Sequence, residues 1–259
     1  MGLKRTRRTW DALGSKDALW AILTVPGKRD GKWDVEEFFG WGRDEIRALL
    51  DDLDELGLGV GRHRALDFGC GVGRLTRALA DHFDEAHGVD IAPSMIRRAE
   101  ELNADVKGCR FHLNTTADLA VFPDDHFDLV YSNITLQHIE PRYARRYLGE
   151  FVRVARPGGA VVFQLPTERA APRDEPGGNA LKRTLRRVAP EPALGWYRTA
   201  RRALPTSRHV IEMHALPERE VRAVLEEHGA RVVEARPDTW ATGWHGLRYF
   251  ATKDRPGRT

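Results

Sequence analysis

Residues 65–76 read ALDFGCGVGRLT, and they decide which fold the rest of the chain can adopt. Ala65–Phe68 is a short apolar run carrying one acid, the pattern of a buried strand. Gly69, Gly71 and Gly73 make a Gly-x-Gly-x-Gly turn, and Arg74, Leu75, Thr76, Leu79 and Phe83 carry a helical spacing onward. A strand that feeds a glycine turn and then a helix gathers backbone N–H groups and the positive end of a helix at one point. Glycine also leaves room for a ligand to come up against the backbone. The expectation is a polar, partly anionic ligand seated on this turn.

Working outward, residues 10–42 hold Trp10, Trp20, Trp33, Phe38, Phe39 and Trp41, with a helical stretch at 17–23 and a break at Pro26-Gly27. Aromatics this dense predict a cap or lid at the mouth of a site. Residues 43–56 follow as an amphipathic helix stopped by Gly57. Beyond the glycine turn, residues 87–90 form a second strand ending in Asp90. A helix opened by Pro93 comes next, then strands over 109–113 and 127–132, a helix over 141–154 and a strand over 160–164. This alternation predicts a parallel sheet covered on both faces. Residues 167–210 break the rhythm as a basic helical insertion. A helix over 217–228 and strands over 231–235 and 247–252 close the chain. The expected organisation is one domain over 1–259: cap 1–42, ligand-binding core 43–166, insertion 167–210 and C-terminal helix and strands 211–253.

Composition bounds the class. The chain has 259 residues, 41% hydrophobic and 31% charged, which suits a soluble α/β domain without a membrane span or secretory signal, and the cytoplasm is the expected location. Cys70 and Cys109 have no metal-like spacing and read as reduced thiols, and no metal is expected. The net charge of +3 is uneven: residues 1–10 carry +4, residues 167–210 carry +6, and the remainder carries −7. Local basicity points to where an acidic partner would dock.

A dinucleotide fingerprint, Gly-x-Gly-x-x-Gly, would need glycine at 74, where the chain has Arg74. The blocks ALDFGCGVGRLT, GVDIAPSMIRRA, FPDDHFDLVYSNITLQHIEP and FVRVARPGG, in this order and spacing, resemble the class I S-adenosylmethionine-dependent methyltransferases. The resemblance covers residues 60–165 closely and 210–252 in pattern. It implies a Rossmann-like, doubly wound sheet of seven strands, mostly parallel with an antiparallel last strand and helices on both faces. It further implies S-adenosylmethionine as methyl donor, with S-adenosylhomocysteine as product. Asp67 and the turn at Gly69, Cys70, Gly71 and Gly73 would hold the methionine end. Asp90 would take the ribose hydroxyls, and Ile91 and Met95 would line the adenine. The base edge would meet the loop at Thr115, Thr116 and Ala117, while Ser132 and Asn133 would face the sulfonium. Trp20 is a candidate to cover the cofactor.

Methyl transfer needs alignment, exclusion of water and, for some acceptors, removal of a proton. His138 is the first candidate base because its ordinary pKa suits that task; Gln137, His209 and His214 are further candidates near the same mouth. Asp124, Asp125 and His126 read as a solvated turn. Lys182, Arg183, Arg186, Arg187, Arg198, Arg201 and Arg202 would recognise an acidic or phosphorylated acceptor. After the fourth strand stands Ser132-Asn133-Ile134-Thr135 instead of the Asp/Asn-Pro-Pro-aromatic motif of DNA amino-methyltransferases, which favours a small-molecule acceptor over nucleic acid. Two alternatives stay open: a cofactor-binding module without turnover, and an RNA or nucleotide methyltransferase using the basic insertion.

Overall fold

The computed structural model describes residues 2–169, 211–238 and 243–255. Two helices come first, α1 (Leu3–Ile22) and α2 (Val35–Glu55), followed by β1 (Arg64–Phe68), α3 (Arg74–Ala80), β2 (Glu85–Asp90), α4 (Pro93–Leu102) and β3 (Cys109–Leu113). Then come β4 (Phe127–Ser132), a 3-10 turn (Leu136–His138), α5 (Pro141–Val154), β5 (Ala155–Arg169), α6 (Glu218–Glu227), β6 (Ala230–Pro237) and β7 (Trp244–Lys253). The strands form one seven-stranded sheet in the order β3-β2-β1-β4-β5-β7-β6. β1 to β5 pair in parallel, and β7 runs antiparallel to both β5 and β6. This is the expected fold class.

Side-chain alternation assigns each face its core. Ala65, Leu129, Val162 and Phe250 point toward α2 and α3, where they meet Ile46, Leu49, Leu53 and Leu79. Leu66, Val130, Phe163 and Tyr249 point the other way, onto Phe151, Val152, Val221 and Leu225 of α5 and α6. Each large apolar side chain so withdrawn from water contributes roughly 1.5–3 kcal/mol. Strand order reverses between β1 and β4, so the crevice beyond their carboxyl ends is where a ligand of an open α/β sheet sits.

The N-terminal region departs from expectation. The helix read as 43–56 begins at Val35, because Asp34 caps it by accepting a hydrogen bond from Glu37 N (2.8 Å). Gly40 and Gly42 lie inside this helix. Gly42 is required there, since a Cβ would come within 2.5 Å of the Arg74 carbonyl oxygen. The helical stretch at 17–23 is the end of a longer α1, kinked at Asp17, and the basic N-terminus is its first turns. β5 begins at Ala155 and runs to Arg169, its register shifting between Phe127↔Ala155 and Leu129↔Ala160; pairing with β7 down to Arg169↔Trp244 carries it past Pro166. β6 and β7 likewise exceed the 231–235 and 247–252 read from sequence. Segment 170–210 lies outside the described residues, and with it the seven basic residues from Lys182 to Arg202 and His209. No helix among the described residues is long and apolar enough to cross a membrane.

Candidate functional site

The glycine turn follows β1 directly, and all three of its glycines have left-handed φ: +77° at Gly69, +54° at Gly71 and +82° at Gly73. The space off each is filled by protein. A Cβ at 69 would lie 2.7 Å from Thr135 Cβ, at 71 2.5 Å from Ile22 Cδ1, and at 73 2.7 Å from Phe111 Cζ. The amides are also committed: Gly69 N and Cys70 N donate to the Val89 carbonyl, Gly71 N to Asp90 and Gly73 N to the Cys70 carbonyl. Four amides of the turn are used internally, and α3 is only seven residues long.

Around the turn the structure gathers hydrogen-bond acceptors. Asp67, on β1, is 1% exposed and accepts from Thr76 Oγ1 (2.7 Å). Burial pushes its carboxyl up to about 7, with Glu45 adding to the rise and Thr76 and Arg74 opposing it. Asp90 ends β2 and accepts from Gly71 N (3.0 Å) and Ala92 N (2.8 Å). Burial raises its carboxyl, and those two amides pull it back. The Ile91 amide also faces this carboxyl, so few of its roughly four lone-pair sites are left for other donors. Cys70 is buried in the turn, and burial holds its thiol well above the ordinary range.

The neighbouring elements are tied to this point. Asp11 of α1 accepts from Ser94 N (2.8 Å), and Ser94 Oγ donates to the Asp11 carbonyl, so α1 caps α4. Met95 is 1% exposed and packs with Ala18, Ala21, Val72 and Ala92, while Ile91 is half-buried. Trp20, half-buried in the same cap, lies under the Arg29 guanidinium at 4.9 Å. Thr115 and Thr116 are exposed and Ala117 half-buried. Asn114 knits their loop: its Oδ1 accepts from Thr116 N and Oγ1, and its Nδ2 donates to the Asp118 carbonyl.

After β4, Ser132 is fully buried and its hydroxyl donates to the Phe68 carbonyl (3.1 Å), which binds the β4 end to the glycine turn. Ile134 has φ +57°, a conformation that a β-branched residue rarely adopts and that clusters at functional sites. Asn133 donates from Nδ2 to Glu45 Oε1 (2.6 Å), which also accepts from Tyr131 OH (2.9 Å), while Glu45 Oε2 accepts from Arg74 (2.8 Å). Glu45 on α2 was missed from sequence. Its signal was an acid in the stripe of Gly42, Ile46 and Leu49, where a helix facing the core is otherwise apolar.

His138 is half-buried in the 3-10 turn, its ring 5.2 Å from that of Trp10. Its Nδ1 donates to the Glu212 carbonyl (3.1 Å), which fixes the tautomer, and Nε2 then accepts from Gln137 Nε2 (3.1 Å). Burial lowers its pKa to about 4, so the ring is neutral at pH 7. His214 donates its backbone N–H to the Gln137 carbonyl (2.8 Å). Asp124 pairs with Arg153 (2.6 Å) and Asp125 with Lys253 (2.6 Å), away from the crevice.

Comparison with known proteins places this geometry. Residues 66–163 match the model of a methyltransferase domain. The trans-aconitate 2-methyltransferase of Azoarcus sp. (strain BH72) is 30% identical over 173 residues, 64% of this chain and 65% of that protein. The chain thus spans less than two thirds of the curated relatives it matches. Among solved structures, magnesium protoporphyrin IX methyltransferase from Synechocystis PCC 6803 with bound S-adenosylhomocysteine shares the fold at TM-score 0.61, covering 97% of this chain and 99% of its own at 16% identity. A [4+2]-cyclase shares it at TM-score 0.62, covering 98% and 97% at 13% identity. Residues 66–163 thus match a methyltransferase-domain model, and the fold is the one shared with these solved structures.

Proposed function

We propose that the chain is an S-adenosylmethionine-dependent methyltransferase acting on a small-molecule acceptor. One observation carries this: Asp67, Asp90 and Asn133 gather acceptor oxygens around the glycine turn, Asn133 Oδ1 without a partner among the described residues, while the amides of Gly69, Cys70, Gly71 and Gly73 are bonded within the protein. A pyrophosphate needs donors, whereas a cationic ligand bearing ribose hydroxyls and an ammonium group needs acceptors. In this reading Asp67 and the 69–73 turn receive the methionine end, with Asp90 on the ribose. Ile91, Met95 and the 115–117 loop lie along the adenine, Ser132 and Asn133 beside the sulfonium, and Trp20 over the cofactor. When bound, the cofactor supplies a methyl group on a positively charged sulfur, so transfer is an in-line displacement whose rate depends on alignment.

The chain's own groups orient and exclude water. His138 can take a proton only once Gln137 yields Nε2, and with its low pKa it suits an acceptor that is already nucleophilic. An acidic or phosphorylated acceptor rests on the basic residues of 167–210 and on the relative named for trans-aconitate. The second reading is a cofactor-binding protein without methyl transfer, since the fold is shared with a cyclase and a fold does not fix a reaction.

Calorimetry decides the first point: S-adenosylhomocysteine is expected to bind and NAD not to, and the reverse would overturn the proposal. Release of S-adenosylhomocysteine in the presence of an acceptor separates turnover from binding alone. Trp20→Ala is expected to weaken S-adenosylhomocysteine binding about tenfold with little change in melting temperature. A large melting shift with unaltered affinity would make Trp20 a packing residue only.

A further inference from the structure

The amide of Asn133 is oriented by a carboxylate that lies outside the matched domain. Glu45 accepts from Arg74 and from Tyr131, so Asn133 turns its NH2 toward Glu45 Oε1 (2.6 Å), and this fixes the carbonyl oxygen on the other side. Asn133 is only 8% exposed, and its Oδ1 has no partner among the described residues. Buried polar atoms are normally paired, so an orphaned acceptor at the crevice asks for a donor. The second oxygen of Glu45 holds Arg74, the residue that follows Gly73, and Thr135 packs on Gly69. Asn133 therefore belongs to the end of the crevice occupied by the glycine turn. The acids Asp67 and Glu45 beside it favour a donor that is also a cation.

We propose that Glu45 is a positioning residue that aims Asn133 Oδ1 at the α-ammonium group of the bound cofactor's methionine moiety. The inference rests on the cofactor reading above. A donor of the same chemistry could come instead from an N–H or O–H of the methyl acceptor, and the test separates the two. In Glu45→Gln the new amide keeps its oxygen on Arg74 and turns its NH2 to position 133. Asn133 then flips, presenting a donor where the ligand expects an acceptor. Asn133→Asp alone sets two carboxylates against each other. In the double variant the amide introduced at position 45 donates to the carboxylate introduced at position 133, whose other oxygen again faces the ligand.

Binding is measured by calorimetry with S-adenosylhomocysteine and with 5′-methylthioadenosine, which keeps the adenosine and sulfur but lacks the ammonium group. Glu45→Gln and Asn133→Ala are each expected to lose at least about tenfold in S-adenosylhomocysteine affinity and less than about twofold for methylthioadenosine. The double variant, Glu45→Gln with Asn133→Asp, should recover to within about threefold of wild type. Equal losses for both ligands, without recovery in the double variant, would reduce Glu45 to a structural role. Unchanged affinity for both ligands would remove the ammonium assignment and leave the acceptor as the source. If the wild type itself binds no S-adenosylhomocysteine, the cofactor reading fails before the inference is reached. Asn133→Ala keeps the test open should Glu45→Gln not fold.

Discussion

Asp67→Asn should melt about 5 °C or more above wild type at pH 8, with the gap closing as the pH falls toward 4. The wild-type carboxyl has an ordinary value of 3.8 in the unfolded chain and is pushed to about 7 by burial in the folded one. Between those values the native state holds a proton that the unfolded state has released, so wild-type stability falls as pH rises through this window. Above pH 7 the full penalty stands, at most ~4 kcal/mol. For a domain of this size each kcal/mol moves the melting temperature by about 2–4 °C. Asparagine keeps an oxygen to accept from Thr76 Oγ1 and carries no charge to bury. The same variant should bind S-adenosylmethionine and S-adenosylhomocysteine, which share the methionine ammonium group, more weakly than wild type at pH 8. Differential scanning calorimetry at pH 4 to 8 tests the stability half. A pH-independent gap would mean that the Asp67 carboxyl titrates in its ordinary range.

This arrangement is a charge balance around the crevice. Glu45 faces Arg74, and Asp238 faces Arg248 through its Nη2 at 3.1 Å. Asp67 is the carboxylate left over among these, buried on β1, with the Thr76 hydroxyl as its side-chain donor and no cation in hydrogen-bond contact among the described residues. On the proposed function, a cationic ligand would supply the counter-charge, giving an acid that costs stability a use in binding.

The core of the fold was legible because its signals are local. The alternation of 65–68 with a helical spacing at 74–83, repeated through 87–102, is a two-period pattern that only a covered parallel sheet satisfies. Asp67 and Asp90 were legible for the same reason, since each sits at a strand end next to the turn. Glu45 was not, because its meaning lies in Arg74, Tyr131 and Asn133, which are 29, 86 and 88 residues away. Nor was the start of α2, read at residue 43 where the helix begins at Val35. Gly42 is there because α2 rests on the backbone of Arg74. Non-local packing of the same kind fills the space off the three glycines of the turn, with Thr135, Ile22 and Phe111.

Gly69→Ala should therefore cost far more than the equally left-handed Gly57→Ala. At Gly57, φ is +66° and a Cβ would meet nothing within 4 Å, so the substitution carries only the strain of a left-handed alanine, about 1–2 kcal/mol. At Gly69, φ is +77° and the new Cβ would overlap Thr135 Cγ2 and lie 2.7 Å from Thr135 Cβ. Rotation about χ1 cannot clear a contact with Cβ itself, so the 132–135 loop must move away from the turn. Overpacking of this kind adds about 1–3 kcal/mol to the strain. The displaced loop carries Asn133, so S-adenosylhomocysteine binding should be lost along with the stability. Thr135→Gly in the Gly69→Ala background removes the clash and should return the melting temperature to about that of Gly57→Ala. Thermal unfolding of the three variants beside calorimetry reads both effects. If Gly69→Ala melted with Gly57→Ala and lost only ligand affinity, the space off Gly69 would belong to the ligand, and the turn would be a seat after all.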